Sequence, residues 1–202
     1  MRTFVLNLEH NTERKKYMQD LLKDIPIDYE FFPAVYGKSI TNIEQFYDSK
    51  LAERKAKRQL NVGEIGTAIS HKNIYKKMIK CALESQKKAY TPYSNFNVGA
   101  SVLTDSGKIY GGCNIENASY TPTVCAERVA IFKAIYDGEK KITKIAVVGK
   151  ENSLTYPCGV CRQVMREFCT DDCEIIIIRN EQEYKIIKFS EILPYSFGPK
   201  DL

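Results

Sequence analysis

Residues 125–135 read Cys-Ala-Glu-Arg-Val-Ala-Ile-Phe-Lys-Ala-Ile, and residues 157–161 read Pro-Cys-Gly-Val-Cys. In each stretch a cysteine precedes a run with helical patterning, and Pro157 suits the start of a helix because the first turn has no use for its missing N–H. A helix N-terminus carries partial positive charge and free N–H groups, which favour a thiolate over a thiol. We therefore predict two helices that begin at these cysteines, with both N-termini facing one shared site.

The spacing of Cys125, Cys158 and Cys161 fits an open zinc site. A catalytic zinc takes three protein ligands and leaves its fourth position to water, whereas a structural zinc closes all four positions with protein atoms. Glu127, at the mouth of the first helix, is placed to reach that water without binding the metal, which makes it a candidate proton carrier. The pattern predicts a one-zinc hydrolytic site.

Two other interpretations of the cysteines stay open at this point. The Cys158-x-x-Cys161 pair could be a redox centre, although such a pair has no need of Cys125. A closed structural zinc site could instead recruit a fourth cysteine, for which the candidates are Cys81, Cys113, Cys169 and Cys173. The odd total of seven cysteines and the lack of a signal-peptide pattern argue against a disulfide framework.

Length and composition limit the class of protein. The chain has 202 residues, 44% of them hydrophobic, which allows one large domain or two small ones around a real core. No apolar run reaches the ~18 residues of a membrane helix, so we expect a cytoplasmic protein without a membrane partner. The net charge of +5 is spread out except in residues 50–58, where no aromatic residue interleaves with the charges, so no polynucleotide partner is predicted.

The chain divides near residues 70–73. Residues 3–8, 13–23 and 29–35 read as strand, helix and strand, and a charged helical stretch follows at 43–58, which together predict a small βαβ-like unit in residues 1–73. Residues 67–89 contain neither Gly nor Pro. Either one helix runs through them, or Asn73 caps a second helix.

Residues 74–202 read as an α/β domain. A hairpin is predicted at 96–103 and 108–114, and further strands at 142–148, 174–179 and 183–188. The Ile-Ile-Ile-Ile run at 175–178 is typical of a strand buried on both faces. With the two cysteine-led helices the order becomes ββαβαββ after an opening helix, a three-layer α/β/α domain.

These residues resemble the short-chain cytidine deaminases. The resemblance rests on five motifs in the same order: Pro92-Tyr-Ser-Asn-Phe-Asn-Val-Gly-Ala, Gly112-Cys-Asn-Ile-Glu-Asn-Ala-Ser-Tyr, Cys125-Ala-Glu-Arg, Pro157-Cys-Gly-Val-Cys-Arg-Gln and Phe197-Gly-Pro-Lys-Asp-Leu. It implies one Zn²⁺ per subunit and hydrolytic deamination of cytidine and deoxycytidine to uridine and deoxyuridine, a reaction of pyrimidine salvage. Because both histidines, His10 and His71, lie outside the catalytic segment, the zinc set would be the three-cysteine version.

The resemblance also implies roles for individual residues. Zinc-activated water adds to C4 of the pyrimidine, while Glu127 protonates N3 and then passes a proton to the departing ammonia. The residues that the family pattern places around the nucleoside are Phe96, Asn114, Glu116, and the backbones of Ala126 and Cys158. Asn114 and Glu116 match the ribose-binding pair.

Charge and assembly complete the implied site. Three thiolates, one Zn²⁺ and one hydroxide sum to −2, and Arg128, which matches the arginine that contacts ligand sulfur in the family, is expected to offset part of that charge. The family forms homotetramers with shared active sites. By resemblance, Phe197 contributes an aromatic ring to the base bound by a neighbouring subunit.

Residues 1–79 resemble the start of the glycosyltransferase family that includes lipopolysaccharide galactosyltransferases. The matching pieces are Phe4-Val-Leu-Asn-Leu, Phe31-Phe-Pro-Ala-Val-Tyr-Gly-Lys and Leu60-Asn-Val-Gly-Glu-Ile-Gly-Thr-Ala-Ile-Ser-His. They cover only the opening third of that family's domain, so no glycosyl transfer is expected. Gly63 and Gly66 could shape a loop near a sugar nucleotide, or serve as scaffold.

Two alternatives to cytidine deamination are kept. One is a deaminase of a modified pyrimidine nucleoside, against which the retained Asn114, Glu116 and Phe197 argue. The other is a non-catalytic zinc module fused to a sugar-nucleotide-binding remnant.

Overall fold

A computed structural model describes residues 2–8, 11–23, 28–36, 38, 40, 43 and 47–202. The chain forms two compact units, one made of Phe4–Tyr75 and the other built on Lys76–Leu202. None of the described helices combines the length and the apolar character that a membrane span requires.

The larger unit is a mixed five-stranded sheet with helices. Its elements are β3 (Gly99–Thr104), β4 (Ile109–Cys113), α4 (Ala126–Tyr136), β5 (Ile142–Val148), α5 (Gly159–Phe168), β6 (Cys169–Ile178), β7 (Tyr184–Lys188) and α6 (Phe189–Ile192). The strand order is β4-β3-β5-β6-β7, in which β5 and β6 are parallel and the other neighbours antiparallel. The predicted ββαβαββ order and the α/β fold are confirmed.

Two consecutive glycines in β4 show that helices cover both faces of this sheet. Successive strand residues point to opposite faces. A Cβ added at Gly111 would meet Ser85 of helix α3 (Val62–Gln86), whereas one at Gly112 would lie 2.5 Å from the backbone of Ala126 and of Ala130 in α4. The strand therefore lies between α3 on one face and α4 on the other, and the backbone of α4 approaches closely enough to require glycine at Gly112.

The core confirms the prediction for β6. Ile175, Ile176, Ile177 and Ile178 are all fully buried. The first and third belong to the cluster formed with α4 and α5, and their neighbours point to the opposite face. Burying one such side chain contributes about 1.5–3 kcal/mol, so this strand supports both layers.

The smaller unit contains β1 (Arg2–Asn7), α1 (Thr12–Leu22), β2 (Asp28–Pro33) and α2 (Ser49–Ala56), with β1 paired to β2. The Asn11 side chain caps α1 by accepting from the Arg14 N–H at 3.1 Å. The charged helix is shorter than the predicted 43–58, of which residues 44–46 lie outside the described residues.

Helix α3 starts earlier than the sequence predicts. It runs unbroken from Val62 to Gln86, so the alternative in which Asn73 caps a new helix is wrong, and Gly63 and Gly66 lie in the helix rather than in a loop. The reason is a reciprocal cap. The Glu64 N–H donates to Asn61 Oδ1 at 3.0 Å, and the Asn61 N–H donates to Glu64 Oε2 at 2.9 Å. This capping box sets the start, and the helix tolerates two glycines at about 1 kcal/mol each.

Candidate metal centre and substrate cleft

Three thiols converge where helices α4 and α5 begin. Cys125 is the N-cap residue of α4, Cys158 is the N-cap residue of α5, and Cys161 lies buried in the first turn of α5. Their Sγ atoms lie within 4.8 Å of one another, and the Cys125 and Cys158 sulfurs are 3.9 Å apart. The structure thus brings together the three cysteines that the sequence singled out.

Local contacts hold the two helix starts in place. Ile115 pairs with Val124, which places the segment before Cys125 beside the end of the β4 strand. Arg162 Nε donates to the Pro157 carbonyl at 2.8 Å, which closes the turn that carries Cys158. The thiols are therefore supported by backbone pairing on one side and by a side-chain clamp on the other.

The donor set fits zinc. Two sulfurs that each lie about 2.3 Å from one tetrahedral zinc are about 3.8 Å apart, close to the separation of Cys125 and Cys158. Across the described ranges, no fourth Cys, His, Asp or Glu joins this group. Cys113, one of the candidates for a fourth cysteine, donates instead to the Lys88 carbonyl at 3.3 Å.

The electrostatics of the thiols favour metal binding. Hydrogen bonds from the Cys161 thiol and from Arg128 lower the pKa of Cys125 to about 5, although its partial burial opposes the shift. The same hydrogen bond, together with burial, raises the pKa of Cys161. The shift at Cys125 favours the thiolate form, which is the form that binds a metal.

Arg128 touches the thiol group from the side. Its Nη2 atom lies 3.6 Å from Cys125 Sγ and donates to the Thr123 carbonyl at 3.0 Å. Its Nε atom is buried and has no hydrogen-bond partner among the described residues. The guanidinium group of Arg128 therefore lies next to the Cys125 thiol.

Glu127 is a buried carboxyl group with 3% of its surface exposed. Burial raises its pKa, the negative charge at Cys125 adds to the shift, and a hydrogen bond with the Cys161 thiol opposes it. Glu127 lies in the first turn of α4, two residues after Cys125, at the helix mouth where the sequence places it. The carboxyl group therefore lies buried at the start of α4, close enough to the thiol group for their charges to interact.

Asn114 and Glu116 engage the segment that precedes β3. Asn114 is nearly buried, its Oδ1 accepts from the Val98 N–H and its Nδ2 donates to the Phe96 carbonyl, both at 2.8 Å. Glu116 is bound by the turn at Tyr93 and Ser94. The two side chains therefore hold different parts of one loop.

Glu116 faces a cleft of about 330 Å³ that sequence reasoning missed. The residues that line it are Tyr93, Ser94, Glu116, Tyr120 and Thr123. The rings of Tyr93 and Tyr120 meet edge to face, with centroids 6.2 Å apart. Both tyrosines stand inside the quoted Pro-Tyr-Ser and Ala-Ser-Tyr motifs, which was the available signal.

The remaining predicted substrate residues differ in exposure. Ala126 is fully buried at the start of α4, whereas the rings of Phe96 and Phe197 are exposed by 40% and 62%. The carbonyl of Phe197 accepts from Gln163 Nε2 at 3.1 Å, which ties the C-terminal segment to α5.

The smaller unit has a cleft of its own, with a volume of about 480 Å³. It lies at the carboxyl ends of β1 and β2, and the residues that line it are Leu8, Arg14, Ala34, Val35, Tyr36, Lys38, Val62, Gly63 and Thr67. Ligands of α/β units commonly bind at such strand ends.

Comparison with known proteins gives the family. The model of the cytidine and deoxycytidylate deaminase zinc-binding region matches residues 72–177, and the chain belongs to this family. Cytidine deaminase from Halalkalibacterium halodurans is 43% identical over 125 residues, which cover 62% of this chain and 95% of the relative. Cytidine deaminase from Sporosarcina psychrophila is 40% identical over 126 residues, covering 62% of this chain and 93% of the relative.

Solved structures of cytidine deaminases resemble this chain as well. Cytidine deaminase from Burkholderia pseudomallei shares 41% identity at a TM-score of 0.57, covering 60% of this chain and 97% of that one. The Mycobacterium tuberculosis cytidine deaminase shares 33% identity at a TM-score of 0.54, and the match covers 61% of this chain and 97% of that one. A second family model, glycosyltransferase family 25 (LPS biosynthesis protein), matches residues 1–86. The two matches overlap within α3.

Proposed function

We propose that this chain deaminates cytidine and deoxycytidine hydrolytically, releasing uridine or deoxyuridine and ammonia. The observation that carries the proposal is the convergence of Cys125, Cys158 and Cys161 beside the buried carboxyl group of Glu127. The similarity to named cytidine deaminases over nearly their whole length supports the same reaction. The reaction would serve pyrimidine salvage, and the expected compartment is the cytoplasm.

The residues divide the chemistry between them. The three cysteines would hold one Zn²⁺, which when bound supplies a Lewis acid that makes water nucleophilic near neutral pH. Glu127 takes a proton from the attacking water, delivers it to N3 of the pyrimidine, and moves a second proton to the leaving amino group. One water enters and one ammonia leaves, so the reaction needs no other reactant. A carboxyl group with a raised pKa suits both the uptake of a proton from water and its delivery to the substrate.

The cleft beside Glu116 supports an unmodified nucleoside as substrate. Within the part of the chain that the structure describes, its lining includes one carboxylate, two tyrosines and two hydroxyl side chains, and no lysine or arginine. Such a lining can accept a sugar hydroxyl and disfavours a phosphate. Comparing the turnover of cytidine with that of cytidine 5′-monophosphate tests this choice, and faster turnover of the monophosphate would contradict it.

We expect Arg128→Gln to lower kcat by about 10- to 100-fold, the effect of losing one charged hydrogen bond. The physical reason is that the thiolate at Cys125 would lose its adjacent cation, which weakens the acidifying effect of the metal. The measurement is kcat together with bound zinc and Tm. Lys133→Gln is the matched control because Lys133 also donates to a backbone carbonyl from α4, but does not contact a thiol in the described contacts. Unchanged turnover at the same zinc content would remove Arg128 from this role.

The chain is also proposed to form a homotetramer with shared active sites. The outward side of α4 carries Phe132 and Tyr136, which are 47% and 95% exposed, and Val160 near the start of α5 is 59% exposed. Large exposed apolar side chains on neighbouring helices are typical of an association surface. The exposed ring of Phe197 is available to a second copy.

If subunits share their active sites, two variants that are each weakened should restore activity when they assemble together. The test co-expresses Glu127→Ala chains with Phe197→Ala chains. If each site takes Glu127 from one subunit and Phe197 from another, random assembly leaves both residues intact in about a quarter of the sites. Doubly tagged hetero-oligomers should therefore exceed the activity of either parent variant by a wide margin. Additive activity, or a fully active monomer in size-exclusion chromatography with light scattering, would contradict the shared site.

Residues 1–73 are proposed to be a partial glycosyltransferase-like unit without catalytic activity, and residues 74–202 the deaminase domain. The family match at residues 1–86 supports the resemblance of the first part. Release of sugar from UDP-galactose by the full chain would contradict the lack of activity.

A further inference from the structure

The hydroxyl group of Ser94 stands at the centre of a hydrogen-bond network beside the cleft. It donates to Glu116 Oε1 and accepts from the Phe96 N–H at 3.0 Å. The other carboxylate oxygen of Glu116 accepts from the N–H groups of Tyr93 and Ser94, at 3.0 and 3.2 Å. One turn therefore supplies three donors to one carboxylate.

Among the contacts of the described residues, these bonds leave Glu116 with little freedom and one acceptor position unused. A carboxylate offers about four lone-pair sites, of which the turn occupies three. Oε2 takes two backbone donors, so the remaining lone pair is on Oε1, next to the Ser94 hydroxyl. This position can accept one further hydrogen bond from a ligand hydroxyl in the cleft that Glu116 lines.

The same network reaches the other predicted substrate residues. The Phe96 N–H donates to the Ser94 hydroxyl at 3.0 Å, and the Phe96 carbonyl accepts from Asn114 Nδ2 at 2.8 Å. Backbone bonds between Tyr90 and residues 114 and 116 close the network from the other side, at 3.0 and 2.9 Å. A half-buried glutamate without these bonds would sample several rotamers, and ordering it before binding lowers the entropic cost of association.

We propose that Ser94 is a positioning residue that holds Glu116 in the orientation that accepts one sugar hydroxyl of the nucleoside. The proposal rests on the proposed function, in which Glu116 contacts the ribose. Without the Ser94 hydroxyl, Oε1 loses its only donor among the described contacts and the carboxylate rotates about the remaining bonds at Oε2. Ligand affinity falls, while the metal centre and Glu127 are unaffected.

The test compares Ser94→Ala with Ser94→Thr, which keeps the hydroxyl, and with Ser190→Ala, an exposed serine in α6. For Ser94→Ala we expect KM for cytidine and the Kd of uridine, measured by calorimetry, to rise about tenfold, which corresponds to about 1.4 kcal/mol. We expect kcat and Tm to be unchanged, and Ser94→Thr to restore most of the affinity.

Nucleosides that lack a single sugar hydroxyl identify the contact. In 2′-deoxycytidine, 3′-deoxycytidine and 5′-deoxycytidine, the effect of Ser94→Ala should disappear for the one analogue without the contacted hydroxyl. Three outcomes would overturn the proposal. They are an equal effect of Ser94→Ala on all three analogues, an unchanged KM and Kd, and a loss of kcat in step with Tm. If the wild type binds uridine but produces none, the proposed function fails, and the uridine Kd values still decide the role of Ser94. A wild type that does not bind uridine overturns both.

Discussion

Replacing Glu127 by glutamine is expected to lower kcat for cytidine by about 10²- to 10⁴-fold, the usual contribution of a general acid–base group. Glutamine matches the volume of the buried side chain, so the helix start and the thiol group should keep their arrangement. The amide cannot carry a proton between water, N3 and the leaving group. The measurement is steady-state kcat with zinc determined on the same sample.

Glu151→Gln provides the matched control because Glu151 is an exposed glutamate outside the site. This variant should keep wild-type kcat, bound zinc and Tm. If Glu127→Gln retained more than a tenth of the wild-type kcat with full zinc content, the proton transfer would have to be assigned to another group.

Replacing Cys161 by serine is expected to remove both zinc and activity. Cys161 is fully buried beside the other two thiols. Its hydrogen bond to Cys125 is the largest cause of the lowered pKa of Cys125. A hydroxyl is a poor zinc ligand, so the site would fall to two good donors. A metal present at about 100 times its Kd stabilises the folded chain by about 2.7 kcal/mol, so the loss should also lower Tm.

Cys113→Ser distinguishes metal loss from a general effect of removing a thiol. Cys113 lies outside the thiol group and donates to a backbone carbonyl, a bond that serine can keep. This control should retain one zinc per chain and wild-type turnover. Full zinc occupancy in Cys161→Ser, measured by elemental analysis, would contradict the three-cysteine site.

Sequence patterns were sufficient for the sheet and the helix starts of the larger unit. The bounds of β5 coincide with the predicted 142–148, and both cysteine-led helices begin one residue after the predicted cysteine. These features depend on local signals, namely apolar runs, a proline and capping positions. The start of α3 was missed because the Asn61–Glu64 cap outweighs the helix-breaking tendency of Gly63 and Gly66.

The site was predictable only in part. The three thiols follow from spacing, but the burial of Glu127 beside them depends on how α4 packs in the folded domain. The turn that holds Glu116 was not predicted because Ser94 lies 22 residues away in the chain. Hydrogen bonds between distant segments leave no periodic signal, so such positioning residues emerge only from three-dimensional structure.

The most direct test of the central claim is to follow cytidine with the full-length chain before and after zinc removal. We predict that the zinc-loaded protein forms uridine and ammonia in equal amounts, that chelation abolishes both products, and that one equivalent of Zn²⁺ restores them. No conversion by a folded chain carrying one zinc would contradict the account and favour a non-catalytic zinc module.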